Sequence, residues 1–222
     1  MFKDKKLIIF DMDGTLIDSA PSLTYAVNHT LQALGKEPIT INEAKSYIGN
    51  GATILMHRAL VRDRDYQKYN LDPKYLQDAL NSFLEFYGKN LNEKTTLYPN
   101  VIKTLRALKS KNIKLALATN KPHQFVQQML EHFKIYEFFD TFIGSSDSIK
   151  RKPNPDILFE CCKQTNINPK DSLMVGDSAN DINAAKNANI DSIFVTYGYC
   201  NKPDSIAPTI KIDNIEDILN YL

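Results

Sequence analysis

The sequence predicts an α/β protein: an open parallel sheet carrying a small all-helical domain inserted after its first strand. Three observations predict it. Short apolar runs recur without alternation, helical patterns lie between them, and one long helical stretch follows the first run.

The apolar runs cover residues 7–10, 113–118, 139–143, 173–175 and 193–196. A strand with one wet face alternates apolar and polar residues, so continuous runs fit strands covered on both faces, as in a parallel sheet. Asn100 is placed to cap a helix carrying Val101, Ile102, Leu105 and Leu108. Pro122 is placed to open another with Phe125, Val126, Met129 and Leu130, and Pro155 a third with Ile157, Leu158, Cys161 and Cys162. Strand alternating with helix gives right-handed crossovers and a Rossmann-like open sheet with helices on both faces. A short capped helix closes the chain over residues 214–222, using Ile215, Ile218, Leu219 and Leu222.

Residues 17–89 break this series with a pattern that is helical throughout. Pro21 opens a helix with Leu23, Val27, Leu31 and Leu34 on one side, and Leu76, Leu80, Phe83 and Tyr87 form a second stripe. An insert of roughly seventy residues is too long for an ordinary connection. The expected organisation is a discontinuous α/β core, 1–16 with 90–222, and a helical cap, 17–89.

Composition narrows the function classes. Of 222 residues 43 % are apolar and the net charge is +1, which gives no electrostatic reason to expect a nucleic-acid or membrane partner. Cys161, Cys162 and Cys200 are odd in number and lack metal-ligand spacing, so they read as reduced thiols of a cytoplasmic protein. No apolar stretch approaches a membrane span. The run after Lys5-Lys6 is too short for a secretory leader and ends in acidic residues, so it reads as a buried strand.

Ligands of open α/β sheets bind beyond the carboxyl ends of the strands. The polar residues expected there are Asp11, Asp13, Thr119, Asn120, Lys152, Asp177 and Asp181. One carboxylate after a strand is often a turn former or a helix cap, and Lys152 could be one more solvated cation in Lys150-Arg151-Lys152. Polar groups at four successive connections are harder to explain as turns. Their types suit transfer of a phosphoryl group. Asp11 and Asp177 can share Mg²⁺, Asp11 can attack phosphorus, and Asp13 can protonate the leaving alkoxide. Lys152, Thr119 and Asn120 can neutralise or hydrogen-bond the phosphoryl oxygens. Gly14 lets the backbone turn sharply. Lys121 reads as structural or peripheral.

These residues resemble the four motifs of the haloacid dehalogenase-like superfamily. The matching segments are Asp11-Met12-Asp13-Gly14-Thr15-Leu16, Ala118-Thr119-Asn120, Lys152-Pro153 and Val175-Gly176-Asp177-Ser178 followed by Asp181. The resemblance implies Asp11 as nucleophile and Asp13 as acid/base. It also implies Mg²⁺ held by Asp11, the main-chain carbonyl of Asp13, and Asp177, with Asp181 as the second acid of its motif. Residues 47–52 and 55–60 further resemble the cap segment of bacterial phosphoglycolate phosphatases, as do 97–101, 118–122 and Thr196-Tyr197-Gly198-Tyr199. That resemblance implies hydrolysis of 2-phosphoglycolate to glycolate and phosphate through an aspartyl-phosphate. Gly49, Asn50, Gly51 and Arg58 are then the substrate-binding candidates: glycines let N–H groups approach an anion, and Arg58 could bind a carboxylate or form a surface salt bridge. Where relatives place glycine, Asn189 is expected to keep the left-handed helix end.

A small phosphorylated metabolite is the expected partner, with the chain a monomer or homodimer. The alternatives are another small-substrate phosphatase or pyrophosphatase, a phosphomutase, and a catalytically silent binding module. A dehalogenase lacks the second aspartate, so Asp13 argues against that chemistry.

Overall fold

Leu7, Ile8, Ile9 and Phe10 are all fully buried, as a strand covered on both faces requires, and they form β1 (Leu7–Phe10). The computed structural model describes residues 1–146, 148–200 and 207–222. After β1 come β2 (Ile17–Asp18), α1 (Ala20–Ala33), α2 (Ile41–Tyr47), α3 (Ala52–Val61), α4 (Pro73–Lys89) and β3 (Thr96–Leu97). Then follow α5 (Val101–Ser110), β4 (Lys114–Pro122), α6 (Val126–His132), β5 (Thr141–Ser145) and α7 (Asp156–Thr165). The series ends with β6 (Ser172–Gly176), α8 (Ala179–Ala188), β7 (Asp191–Val195) and β8 (Ile210–Ile212). Contacts divide the chain into two compact units, Met1–Asp18 with Leu97–Leu222, and Ser19–Thr96.

The first unit holds a parallel sheet of order β5-β4-β1-β6-β7-β8. From β1 the chain builds outward to β4 and β5, then returns to β1's other side for β6, β7 and β8. The order reverses at β1, where such sheets leave a crevice beyond the strand ends. Alternate strand residues point to opposite faces. Leu7, Ile9, Ala116, Ala118 and Met174 therefore share one face, packed with Ile157, Leu158 and Cys161 of α7 and Ala184 and Ala185 of α8. Burying each larger aliphatic side chain contributes about 1.5–3 kcal/mol. The register Ile9↔Ala116 and Ile9↔Met174 brings the carboxyl ends of β1, β4 and β6 side by side.

The second unit is α1 to α4. Leu23, Val27 and Leu31 of α1, Leu55, Met56 and Leu60 of α3, and Leu80, Phe83 and Tyr87 of α4 are buried. Its helix starts are written locally. Thr40 and Glu43 form a capping box at α2, and Asp72 accepts from Tyr75 N ahead of Pro73 at α4. Among the described residues no helix is long and apolar enough to cross a membrane.

Several boundaries differ from expectation. Ile17 and Asp18 belong to β2 in the first unit, and the chain returns to that unit at Leu97 rather than near residue 90. β4 runs on to Pro122 instead of ending at Ala118, so a 3₁₀ turn at His123–Phe125 precedes α6. Asn100 precedes α5 in a left-handed conformation with no side-chain cap; its amide donates to Glu216 instead. Leu34 is exposed, because α1 ends at Ala33. The terminal helix is 3₁₀, over Ile215–Asn220, with Asn214 and Asp217 forming the expected cap. β8 was not expected. Asn189 does keep the left-handed end of α8, at φ 55°. The three cysteines are free, Cys161 and Cys162 buried.

Candidate active site

β1 ends at Phe10, so Asp11 is the first residue free of the sheet ladder on one side, although its N–H still donates to Val175 O on β6. Asp177 stands one residue past β6, and Asp181 lies in the first turn of α8. The three carboxylates are buried, and an oxygen from each lies within 4.8 Å of the others. They form the one group of potential metal ligands of three or more His, Cys, Asp or Glu found among the described residues.

Lys152 enters this cluster from the loop before α7, after which the Lys152–Pro153 peptide is cis. Its Nζ lies 2.6 Å from Asp181 Oδ1 and 2.9 Å from Asp11 Oδ1, and it donates to Ala118 O at 2.6 Å. Burial opposes the ammonium charge, but Asp11 and Asp181 outweigh it and hold its pKa above the ordinary lysine value. Burial pushes Asp11 up from 3.8 to about 7, with Asp181 adding to the rise and Lys152 opposing it. Burial, then Asp181 and Asp11, also raise Asp177 well above the ordinary range.

Three carboxylates facing the Lys152 ammonium leave two negative charges uncompensated when all are ionised. Asp11 Oδ1 is fully shielded and, apart from its ion pair, lacks an aligned hydrogen bond. Hard oxygen donors with an uncompensated double negative charge fit a hard divalent cation. Asp181 is the most occupied of the three. Its Oδ2 accepts from Ser178 N at 3.0 Å and Ser178 Oγ at 2.6 Å, while Oδ1 meets Lys152. Asp177 Oδ2 accepts from Tyr199 N at 2.7 Å. Gly14, at φ +88°, comes so close that a Cβ there would stand 2.3 Å from that same oxygen.

Beside the cluster, Asp13 pairs with Lys121. Nζ lies 3.1 and 3.2 Å from its two carboxylate oxygens. Thr119 is buried, and its Oγ1 accepts from Lys121 N at 3.2 Å. The carboxamide of Asn120 donates to Lys152 O and accepts from Lys152 N, both at 2.9 Å. Its side chain thus fastens the lysine's main chain.

Asp11, Asp13, Thr119, Asn120, Lys152, Asp177 and Asp181 are therefore brought together in the first unit. Gly49, Asn50, Gly51 and Arg58 lie in the second and form a group there. Arg58 Nη1 donates to Tyr47 O at 2.7 Å and to Asn50 Oδ1 at 3.0 Å, Nε donates to Arg64 O at 3.1 Å, and the guanidinium sits 5.6 Å from the Tyr66 ring centre. It is buried at 8 % exposure, so a surface salt bridge does not describe it.

Lys121, expected to be structural or peripheral, is paired with the candidate acid/base Asp13. β4 runs past Ala118 through Lys121 to Pro122 with a shifted register, and this brings the lysine to the strand's carboxyl end beside Asp13.

Residues 8–195 match the haloacid dehalogenase-like hydrolase family. A phosphoglycolate phosphatase of Psychrobacter arcticus is 41 % identical over 221 residues, covering 99 % of this chain and 96 % of its own. One from Aliivibrio fischeri is 39 % identical over 222 residues, covering 100 % and 96 %. The crystal structure of a predicted phosphoglycolate phosphatase from Haemophilus somnus superposes with a TM-score of 0.90 at 36 % identity, covering 98 % of both chains. With the family match spanning both the sheet and its inserted helices, the chain belongs to the haloacid dehalogenase-like hydrolase family.

Proposed function

We propose that this chain is a Mg²⁺-dependent, cytoplasmic phosphatase that hydrolyses 2-phosphoglycolate to glycolate and phosphate. The observation that carries the reading is the buried set of Asp11, Asp177 and Asp181 with Lys152 among them, a cation site that is two positive charges short when all three carboxylates are ionised. The substrate assignment draws on the relatives named phosphoglycolate phosphatase.

Asp11, Asp177 and the main chain at Asp13 would hold the cation, with Asp181 orienting Lys152. Bound there, Mg²⁺ supplies positive charge that favours ionised Asp11 and offsets charge on the transferring phosphoryl group. An Asp11 oxygen attacks phosphorus, and the bond from phosphorus to the glycolate oxygen breaks. Asp13 gives its proton to that oxygen, and an aspartyl-phosphate remains. Asp13 then takes a proton from water as the water oxygen attacks phosphorus. Asp11 and inorganic phosphate are released. Lys152 faces the charge that develops on the phosphoryl oxygens, and Thr119 donates its hydroxyl there. The helical unit, with Gly49, Asn50, Gly51 and Arg58, is read as the cap domain that selects the substrate.

The test is phosphate release with Mg²⁺ and no bisphosphate activator, comparing 2-phosphoglycolate with pyrophosphate and sugar phosphates. The highest kcat/KM on 2-phosphoglycolate is expected. A clear preference for another compound would overturn the substrate, and no release from any of them would overturn the activity.

A further inference from the structure

The turn Thr196-Tyr197-Gly198-Tyr199 has no part in the chemistry above, yet it packs directly against Asp177. It follows β7 and meets Asp177 twice. Tyr199 N donates to Oδ2 at 2.7 Å. At Gly198 an added Cβ would stand 2.2 Å from Asp177 Cβ and 2.4 Å from Oδ2. With Gly14, two glycines distant in sequence leave room for one carboxylate. Gly14 needs glycine for its left-handed backbone as well; Gly198 lies outside that region, so there the requirement is space alone.

The turn is itself fastened. Tyr197 Oη donates to Thr15 O at 2.8 Å, and Tyr199 Oη donates to Asp18 Oδ1 at 2.9 Å. The Tyr197 ring lies 4.7 Å from that of Tyr98, whose N–H donates to Leu16 O at 3.0 Å. Every one of these anchors reaches the segment 15–18 that continues from Gly14. The two glycine backbones that crowd Asp177 are thereby tied to one another.

We propose that Tyr197, Gly198 and Tyr199 form a positioning clamp for Asp177, which fixes its carboxylate for divalent-cation binding. The inference rests on the cation reading above. Asp11 and Asp181 repel the Asp177 carboxylate, and a free side chain would turn away from them until a cation arrived. The clamp removes that freedom in advance, so less ordering opposes binding. Groups that orient a ligand in this way typically alter metal affinity about 10–100-fold.

The experiment is calorimetric titration of Mg²⁺ into the chelator-treated full chain, without substrate. Wild type is compared with Gly198→Ala and with the double variant Tyr197→Phe, Tyr199→Phe, which keeps both rings. Circular dichroism checks each fold. The Kd is expected to rise at least about tenfold in Gly198→Ala and in the same direction in the double variant. In phosphate release, the Mg²⁺ needed for half-saturation is expected to rise in parallel, with activity returning as Mg²⁺ is raised. Wild-type affinity in a folded Gly198→Ala overturns the clamp. If that variant does not fold, wild-type affinity in the double variant overturns it. Wild type that binds no divalent cation overturns both this inference and the cation reading, whereas equal binding by wild type and variants overturns the clamp alone.

Discussion

Lys121 and Asp13 form a partly buried ion pair: Nζ lies 3.1 Å and 3.2 Å from the two carboxylate oxygens, with 2 % of the lysine side chain exposed and 12 % of the aspartate. Asp13 follows β1 and Lys121 stands near the end of the neighbouring β4, so the pair forms across the sheet's carboxyl edge. Lys121 balances Asp13, while among the described residues Lys152 is the cation paired with Asp11 and Asp181. The two-oxygen contact also restrains how the Asp13 carboxylate turns.

If Asp13 is the acid/base, its orientation should set the rate more than substrate affinity. Lys121→Met keeps the aliphatic stem and removes the charge. We expect kcat to fall about 10–100-fold with KM little changed. Steady-state phosphate release measures both, and an unaltered kcat would show that Asp13 needs no such support.

Asn120 acts on Lys152 through the main chain. Its carboxamide completes a two-bond pair with the lysine's N–H and C=O, and this sets where the side chain starts on its way to Asp11 and Asp181. Asn120→Ala leaves that N–H and C=O without this partner in a buried setting, at about 1–3 kcal/mol for each group. Urea denaturation should register a loss of about 2–4 kcal/mol, accompanied by lower kcat. Stability equal to wild type would mean the pair does not hold Lys152 in solution.

These two relationships mark the limit of what the sequence makes legible. The runs at β1, β4, β6 and β7 are short, largely apolar and without polar alternation, so the parallel sheet could be read from them, and the polar residues just beyond them followed. Asp11, Asp177 and Lys152 stand out because each sits next to such a run or beside a proline. Lys121 did not stand out, because β4 continues through polar residues that look like a loop. The attachment of Asn120 to Lys152 spans 32 residues and leaves no local pattern. Ile210, Lys211 and Ile212 make a strand only by pairing with β7, and three residues alone carry too little periodicity to announce one. Gly198 reads as a turn residue until Asp177 is seen against it.

Asp11→Asn should abolish turnover and stabilise the cation-free protein. The Asp11 carboxyl is raised from 3.8 to about 7 in the folded chain. Between those values the unfolded chain has lost its proton while the folded chain keeps it. This group's favourable contribution is therefore complete below about pH 4 and lost as pH rises through about 7. Asparagine removes the titration and one repelling charge, and Lys152 keeps Asp181 at 2.6 Å. Calorimetric melting in EDTA should place the variant above wild type at about pH 8, by about 1–2 kcal/mol, with the gap narrowing toward about pH 4. A variant that melts lower at alkaline pH would contradict the uncompensated charge. Substantial residual turnover would mean another group attacks phosphorus.

Arg58 separates a ligand-binding cation from a structural one. Its guanidinium is engaged by Tyr47 O, Asn50 Oδ1 and Arg64 O, and so ties the turn at Gly49-Asn50-Gly51 to α3. Both glycines there have positive φ, 114° and 89°, so the loop takes a conformation that other residues resist and needs an outside fastener to remain single. A lysine carries the same charge but lacks the planar fork that reaches two carbonyls and an amide oxygen together. Arg58→Lys should therefore lower unfolding free energy in the absence of any ligand, by about 1–3 kcal/mol. On the proposal that this loop binds the phosphate ester, the same variant should also raise KM, because a loosened loop would present its N–H groups less well. A variant of wild-type stability whose KM alone rises would instead assign Arg58 to direct contact with the substrate. Chemical denaturation beside steady-state kinetics on the same preparation decides between the two.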